Sequence, residues 1–333
     1  MKGGLFIASL VFAAATTARK LLFDFNILKV NKLSVPVISV GNITAGGTGK
    51  TPVVILIGQI LKEAGVPVAV LSRGYGRKSM RPFSVRSGKD LSAQEIGDEP
   101  KLISEKLDCP LGIASNRYRT ANLLIRKFGE HVMVMDDGFS HRQLHRDLNI
   151  LLVDAENPFG NGFLPKGRLR EPLSSLKRAE VVIITGDINE ERVDFIRKTL
   201  KRKGFAGEIF TARRKVVAVI SPDGAVLPDS SIKGKDFYLF SGIAGHEKFE
   251  NSAKELGIEI KGSVSYPDHY PFDKSEIDQL IKNGDGAPLL TTEKDIARIG
   301  STMNCLYALR INIEIDRISE FKGIITRLKS RIS

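Results

Sequence analysis

Residues 35–51 read VPVISVGNITAGGTGKT, and this stretch decides the fold of the first half of the chain. Its beginning, Val35–Val40, is a short β-branched run that predicts a buried strand. Its end, Thr44–Thr51, fits the phosphate-binding loop pattern GxxxxGK(S/T) at every fixed position except the first, where Thr44 replaces glycine. Residues 50–64 then predict a helix. Strand, loop and helix in this order indicate a P-loop nucleotide site.

Each residue type in this loop has a use in binding a nucleoside triphosphate. Glycines let successive backbone N–H groups converge on phosphate oxygens, Lys50 would reach the β- and γ-phosphates, and the Thr51 hydroxyl would bind Mg²⁺. We therefore expect ATP and Mg²⁺. The nucleotide-binding residues predicted here are Thr44, Ala45, Gly46, Gly47, Thr48, Gly49, Lys50 and Thr51. The deviant loops of nitrogenase-iron-protein-like ATPases are disfavoured, because their additional lysine would fall at Ala45.

Two later strand ends carry charged residues. Residues 65–71 predict a strand that leads into a loop with Arg73 and Tyr75. The apolar run 132–135 ends in Asp136 and Asp137, which is the layout of a Walker B strand whose terminal carboxylate holds the metal. An ordinary Asp-Gly turn is the alternative there. Ligands of α/β folds bind outside the carboxyl ends of the strands, so both loops are predicted at the site.

The alternation of strands and helices continues to the C-terminus. It predicts an α/β fold: a P-loop NTPase-like parallel sheet with flanking helices, a smaller C-terminal α/β domain and an apolar N-terminal helix. The predicted division is 1–30, 31–208 and 209–333. Later predicted strands are 148–153, 181–185, 216–220, 237–240, 263–265 and 287–290, and later predicted helices lie near 245–257, 273–283 and 314–330.

Composition limits the partners. The formal net charge of the 333 residues is +12, which suggests nucleic acid, anionic lipid or a phosphorylated substrate without choosing among them. The two cysteines, Cys109 and Cys305, lack metal-ligand spacing, so neither a disulfide framework nor a zinc site is predicted. A reducing compartment fits this cysteine content.

The N-terminus favours a membrane surface. Residues 3–18 carry no charge and are flanked by Lys2, Arg19 and Lys20. This run is shorter than the about 20 residues of a spanning helix, so a helix in the interface of an anionic leaflet is favoured. A signal peptide and a buried core helix are alternatives. An ATP site argues against export, because exported compartments generally hold no ATP.

Seven short motifs run along nearly the whole chain. They are GNITAGGTGKTP (41–52), SRGYGR (72–77), GDEP (97–100), DDGFSH (136–141), LREP (169–172), DHY (268–270) and TEKD (292–295). In this order they resemble the tetraacyldisaccharide 4'-kinases, which phosphorylate the lipid A precursor of Gram-negative bacteria. The resemblance implies transfer of the ATP γ-phosphoryl group to the 4'-hydroxyl of an acylated disaccharide 1-phosphate. It also implies a peripheral location at the cytoplasmic face of the inner membrane.

The resemblance further implies roles for individual residues. Asp98 matches the family's proposed base, and His269 matches the histidine that orients or tunes it. Lys50 would stabilise phosphate charge, while Thr51 with Asp136 or Asp137 would hold Mg²⁺. The alternatives are a helix N-cap for Asp98 and an ordinary surface histidine for His269.

Arginines supply candidate contacts to phosphates. Among Arg73, Arg77, Arg117, Arg119 and Arg170, we expect Arg73 and Arg170 to contact ATP or the lipid phosphate, with Tyr75 in the same loop. Ser140 stands where the family motif has glutamine, so a role for that side chain is not carried over.

Two other classes of protein compete. A P-loop ATPase or GTPase acting as a switch or metal-delivery factor would share the nucleotide site, but a guanine-specific NKxD motif is missing from the sequence. A nucleic-acid-binding protein would explain the charge, yet no recognition motif for nucleic acid occurs and tryptophan is absent. We expect no nucleic-acid partner and no obligate protein partner.

Overall fold

A computed structural model describes residues 2–75, 77, 82–300 and 304–331. The strands are β1 (Val37–Gly41), β2 (Val68–Ser72), β3 (Phe83–Val85), β4 (Leu111–Ile113), β5 (Val132–Met135), β6 (Leu148–Asp154), β7 (Val181–Thr185), β8 (Glu208–Ile220), β9 (Asp236–Ser241), β10 (Glu259–Ser265), β11 (Leu289–Thr292) and β12 (Leu306–Ile315). The helices are α1 (Lys2–Asp24), α2 (Lys50–Glu63), α3 (Ala93–Ile96), α4 (Asp98–Leu107), α5 (Arg117–Phe128), α6 (Glu190–Arg202), α7 (His246–Glu255), α8 (Lys274–Gly284), α9 (Glu293–Ile299) and α10 (Ile318–Thr326). Short 3₁₀ helices cover Leu173–Arg178, Asp229–Ser231 and Arg327–Arg331.

The strands that the structure describes form one mixed sheet in the order β10-β9-β11-β12-β8-β7-β6-β1-β5-β2-β4-β3. From β8 to β4 every neighbouring pair is parallel, and β3 adds an antiparallel edge. This confirms the predicted parallel sheet with flanking helices. Because β1, β5 and β2 are adjacent and parallel, the loops that follow them meet at one edge of the sheet.

Strand β8 joins the two halves of the chain. Its residues Glu208–Ala212 pair in parallel with β7, and its residues Ala212–Ile220 pair with β12 in the antiparallel direction. Strand β8 therefore runs past the carboxyl end of β7, and the parallel set β9–β12 returns in the opposite direction. The carboxyl ends of the two parallel sets consequently face each other across a cleft.

The predicted domain division at residues 208 and 209 stays a prediction, and two contacts cross it. Strand β8 carries one continuous set of ladder pairs from β7 to β12. Helix α10 packs on the first half, where Phe321 and Ile325 are fully buried in the same apolar core as Ile57 and Leu61 of α2. The end of the chain thus contributes to the core beneath the P-loop sheet.

Three predicted elements differ from the structure, and the strand predicted at 216–220 is only the last part of β8 (Glu208–Ile220). The helix predicted at 314–330 is wrong at its start, because β12 continues to Ile315 and α10 begins at Ile318. Residues 311–315 alternate between isoleucine and polar side chains, which is the period of a strand. The strand predicted at 263–265 is the end of the longer β10, whose side chains are mostly half-buried.

Helix α1 continues four residues beyond Lys20, to Asp24. Residues Gly4–Asp24 are long and apolar enough to cross a membrane by length and composition, and 6% of that window is buried. The exposed apolar side chains include Leu5, Phe6, Ile7, Leu10 and Val11. This exposure excludes the buried core helix considered above, and the helix could anchor the protein to a membrane.

Candidate active site

The phosphate-binding loop lies between β1 and α2, as the sequence predicts. Gly46 and Gly49 have φ angles of 125° and 81°, a region that side-chain-bearing residues rarely adopt. Hydrogen bonds fix the loop from within and from below: Asn42 Nδ2 donates to Thr48 Oγ1 (3.1 Å), and Thr185 Oγ1 donates to the Thr48 carbonyl (3.0 Å). The loop is therefore held in shape by its own residues and by the end of β7.

A second segment, residues 160–170, supports the same loop. The Ala45 N–H donates to the Arg168 carbonyl (2.7 Å), and the Arg170 N–H donates to the Ile43 carbonyl (2.7 Å). A bridge between Thr44 and Leu169 lies between these bonds. The backbone pairing places the Arg170 side chain beside the phosphate-binding loop.

Asp137 links the two cations at this edge of the sheet. Its Oδ1 lies 3.7 Å from Lys50 Nζ, and its Oδ2 lies 3.2 Å from Arg170 Nη1. Lys50 Nζ also donates to Asn42 Oδ1 (3.4 Å). The structure therefore brings together three predicted site residues from α2, the end of β5 and the 160–170 segment.

Asp136 is buried, whereas the neighbouring Asp137 is partly exposed. Burial raises the pKa of Asp136 to about 6, and the charge of Asp137 adds to the effect while Lys50 opposes it. Within the described part of the chain, Asp136 Oδ1 is buried without a hydrogen-bond partner. Arg117 holds the backbone there, donating to the Asp136 carbonyl (3.0 Å).

These residues fit a magnesium ion. The buried Asp136 carboxylate oxygen without a hydrogen-bond partner and the adjacent Asp137 carboxylate offer the hard oxygen donors that Mg²⁺ prefers. Among the described residues, no group of three or more His, Cys, Asp or Glu side chains that could by itself hold a metal ion occurs. Mg²⁺ sites of nucleotide enzymes use one or two carboxylates together with substrate phosphates.

Asp98 is the first residue of α4, and Gly97 occupies the N-cap position. A Cβ at Gly97, whose φ is 96°, would lie 2.9 Å from the Tyr75 carbonyl oxygen, so glycine allows the loop after β2 to touch this helix. The Asp98 carboxylate does not cap the helix. It accepts hydrogen bonds from His269 Nδ1 (2.8 Å) and from Arg298 Nε (3.0 Å) and Nη2 (2.9 Å).

The surroundings of Asp98 keep it charged. Burial by itself would raise the pKa of Asp98, but the hydrogen bond from His269 and the charges of Arg298 and Lys294 lower it below its ordinary value. Asp98 is therefore a carboxylate at neutral pH. The charge of Glu99, its neighbour in α4, contributes to the raised pKa of Asp136, which places α4 close to the end of β5.

His269 reaches Asp98 from the loop after β10. Its φ is 63°, and its N–H donates to the Gly242 carbonyl at the end of β9 (3.1 Å). The exposed Tyr75 ring lies edge-on at 5.7 Å between ring centroids. Asp98 and His269 are 171 residues apart in the chain, and the structure brings them together as predicted from the resemblance.

The remaining predicted residues take several positions. Arg73 is exposed at the end of β2, and Tyr75 is exposed in the same loop. Ser140 donates to Glu171 Oε1 (2.6 Å), and Arg178 forms an ion pair with the same carboxylate. Serine at this position thus retains a polar contact within the loop after β5.

Arg298 was missed by the sequence reasoning. It lies in α9, three residues after the end of the TEKD motif and 200 residues from Asp98. The sequence does contain a signal for part of its role: an arginine three residues after Asp295 on a helix can form an i, i+3 ion pair with that aspartate. Its contact with Asp98 depends on the tertiary structure.

Comparison with known proteins agrees with this geometry. The family model described as "Tetraacyldisaccharide-1-P 4'-kinase" matches residues 1–330. The tetraacyldisaccharide 4'-kinase of Syntrophus aciditrophicus is 39% identical, covering 87% of this chain and 82% of its own. That of Aquifex aeolicus is 34% identical, covering 98% of this chain and 99% of its own.

A solved structure is also similar. The crystal structure of the "apo" form of LpxK from Aquifex aeolicus in complex with ATP superposes with a TM-score of 0.80 at 32% identity. The match covers 98% of each chain. The chain belongs to the tetraacyldisaccharide-1-P 4'-kinase family, whose members are ATP-dependent kinases.

Proposed function

We propose that this protein transfers the γ-phosphoryl group of ATP to the 4'-hydroxyl of a tetraacyldisaccharide 1-phosphate, with Asp98 as the base. The observation that carries the proposal is the position of Asp98. Its carboxylate lies in the cleft next to the loop after β2, and it is held by His269 and Arg298 from the opposite half of the chain. A phosphate-binding loop faces the same cleft from β1.

The nucleotide would lie on the loop Thr44–Thr51, at the N-terminus of α2. Backbone N–H groups there and Lys50 would balance the charge of the β- and γ-phosphates, which is the main requirement of phosphoryl transfer. Thr51, Asp136 and Asp137 would hold Mg²⁺, which when bound neutralises charge on the phosphate oxygens. Arg170, held beside Asp137, would contact a phosphate of ATP or of the lipid.

Asp98 would accept the proton of the attacking hydroxyl. Its lowered pKa makes it a weak base, but the transition state of phosphoryl transfer is loose, so the hydroxyl needs to lose its proton only late. A positioned base of this kind contributes about 10²- to 10⁴-fold to the rate. His269, bonded through Nδ1 to the carboxylate, would orient it.

Helix α1 would bring this site to the lipid. Its exposed apolar face and the exposed Phe25, Ile27 and Leu28 that follow it suit the interface of an anionic membrane. We propose the cytoplasmic face of the inner membrane, because ATP is available there. Arg73 and Tyr75, exposed beside the base, are proposed contacts of the lipid substrate.

Product identity tests the proposal. Purified protein is given γ-labelled ATP, Mg²⁺ and tetraacyldisaccharide 1-phosphate in detergent micelles, and the lipids are separated by thin-layer chromatography. A labelled bisphosphate is expected from the parent and from Lys322→Ala, an exposed lysine paired with Glu63, but not from Lys50→Ala. Labelled inorganic phosphate without labelled lipid would favour a switch ATPase and overturn the proposal.

A further inference from the structure

Arg298 donates several hydrogen bonds, to Asp98 and to the segments around it. The side chain is 7% exposed, and its Nε and Nη2 atoms both donate to Asp98 Oδ2. Its Nη1 donates to Asp295 Oδ1 (2.9 Å) and to the carbonyls of Tyr270 (3.2 Å) and Gly242 (3.3 Å). One guanidinium therefore joins α4 to α9 and to the loops after β9 and β10.

Asp295 fixes this guanidinium from behind. It is fully buried, and it accepts hydrogen bonds from the hydroxyls of Thr291 (3.2 Å) and Thr292 (2.7 Å) and from the Gly242 N–H (3.2 Å). The orientation of Arg298 is thus set by the end of β11 and the start of α9. The motif at 292–295 has no part in the chemistry proposed above, yet its aspartate holds the residue that reaches the base.

Other pairs between α4 and α9 strengthen the same contact. Lys294 lies 3.2 Å from Glu99, and Lys106 forms an ion pair with Glu293. The two helices therefore meet through opposite charges along their length, with Arg298 and Asp98 as the most buried pair. A rigid contact of this kind suits a residue whose orientation matters.

All contacts of the Asp98 carboxylate from His269 and Arg298 are made through Oδ2. The second oxygen, Oδ1, is the one that these residues leave for a substrate. We propose that Arg298, held by Asp295, is a positioning residue for Asp98: it fixes Oδ2 and turns Oδ1 toward the acceptor hydroxyl. This inference rests on the proposed role of Asp98 as the base.

The positive charge of Arg298 affects the pH dependence of the Asp98 carboxylate. The charged and titratable groups that face Asp98 from the elements around it are Arg298, Lys294 and Asp295 of α9, His269 and Asp268 of the loop after β10, and Glu99 of α4. Burial favours the neutral form of Asp98, and Arg298 opposes it. Removing Arg298 raises the pKa of Asp98, so the fraction of active carboxylate falls at the acid end of the pH profile.

The experiment measures kcat and KM of Arg298→Gln and Arg298→Lys between about pH 5 and pH 9. For Arg298→Gln we expect kcat to fall about 10²-fold near neutral pH, with an unchanged KM for ATP, since misplaced catalytic groups cost about this much. We also expect its acid limb to move upward by about one pH unit or more. Arg298→Lys retains the positive charge but loses the planar guanidinium that donates two hydrogen bonds to Asp98. It should therefore show the pH profile of the parent but only part of the parent's kcat.

Two controls separate positioning from folding and from a failed proposal. Arg310→Gln removes an arginine that pairs with Glu293 and not with Asp98, and it should leave the pH profile unchanged. In an Asp98→Ala background, Arg298→Gln should cause no further loss of kcat. A further loss of kcat in the Asp98→Ala background would overturn the inference. So would an Arg298→Gln enzyme whose pH profile has the same acid limb as that of the parent. A parent enzyme that forms no lipid bisphosphate would instead overturn the proposed function.

Discussion

The two aspartates after β5 show how different surroundings give neighbouring carboxylates different roles. Asp137 is partly exposed and shared between Lys50 and Arg170, so it can hold the two cations in place. Asp136 is buried, and the attraction of nearby cations does not offset its desolvation, so its pKa is raised. A buried carboxylate whose charged form is disfavoured by desolvation is stabilised when a cation binds.

Asp136→Asn is expected to stabilise the protein without Mg²⁺ while reducing activity. The pKa of about 6 against an ordinary 3.8 means that charged Asp136 destabilises the fold by about 3 kcal/mol above that pH. Because the folded-state pKa is raised, this destabilisation grows as pH rises from about 4 to about 6. Urea unfolding at about pH 7.5 and pH 4 measures it; an equal effect of the substitution at both would contradict this explanation.

At the scale of elements, α1 contacts the first half of the chain at several points along its length. Ser9 Oγ accepts a hydrogen bond from the Lys166 N–H (3.0 Å) in the segment that supports the phosphate-binding loop. Arg142, in the loop after β5, pairs with Asp24 (2.8 Å) and lies over the Phe23 ring. A membrane-bound α1 would therefore hold the site at a defined distance from the lipid surface.

Removal of residues 1–20 tests the role of this element. Activity on micellar substrate is expected to fall much more than ATP affinity, because the phosphate-binding loop is fixed mainly by β1, β7 and residues 160–170. The measurements are kcat/KM for the lipid and the Kd of ATP for the truncated and full chains. Equal losses in both quantities would contradict a membrane role and indicate a structural one.

Local elements were predictable because their signals are local. The strand and helix around the phosphate-binding loop were predicted within two residues of the observed β1 and α2, since β-branched runs and the GK(S/T) turn determine them. Residues 306–313 of β12 were not predicted as a strand, and its last two residues, Glu314 and Ile315, were assigned to the predicted helix 314–330. In the site, Asp98 and His269 came from the family resemblance, whereas the Arg298 contact arises from folding over 200 residues.

At the scale of the whole molecule, the two halves share both a sheet and a core. Among the strands that the structure describes, only β8 pairs with strands of both halves. The sequence shows strand–helix alternation on each side of β8, and such a pattern by itself suggests two separate sheets. The packing of α10 under the first half had no signal in the sequence, because an apolar helix face does not specify its partner.

Phe321→Ala is expected to destabilise the first half although it lies near the C-terminus. The side chain is fully buried against Phe210, and such truncations cost about 3–5 kcal/mol. Ile318→Ala, in the same helix but 37% exposed, is the matched control and should cost about 1 kcal/mol or less. Urea unfolding measures both; a Phe321→Ala loss as small as that of the control would contradict the packing of α10.

The most direct test of the cleft assembled by the two halves is a single-turnover measurement on Asp98→Asn. The substitution retains the shape of the side chain but removes its ability to take a proton. With MgATP and tetraacyldisaccharide 1-phosphate saturating, we expect ATP affinity to be unchanged and the labelled bisphosphate to form at least about 10²-fold more slowly than with the parent. Formation of the bisphosphate at a rate within about threefold of the parent would contradict Asp98 as the base.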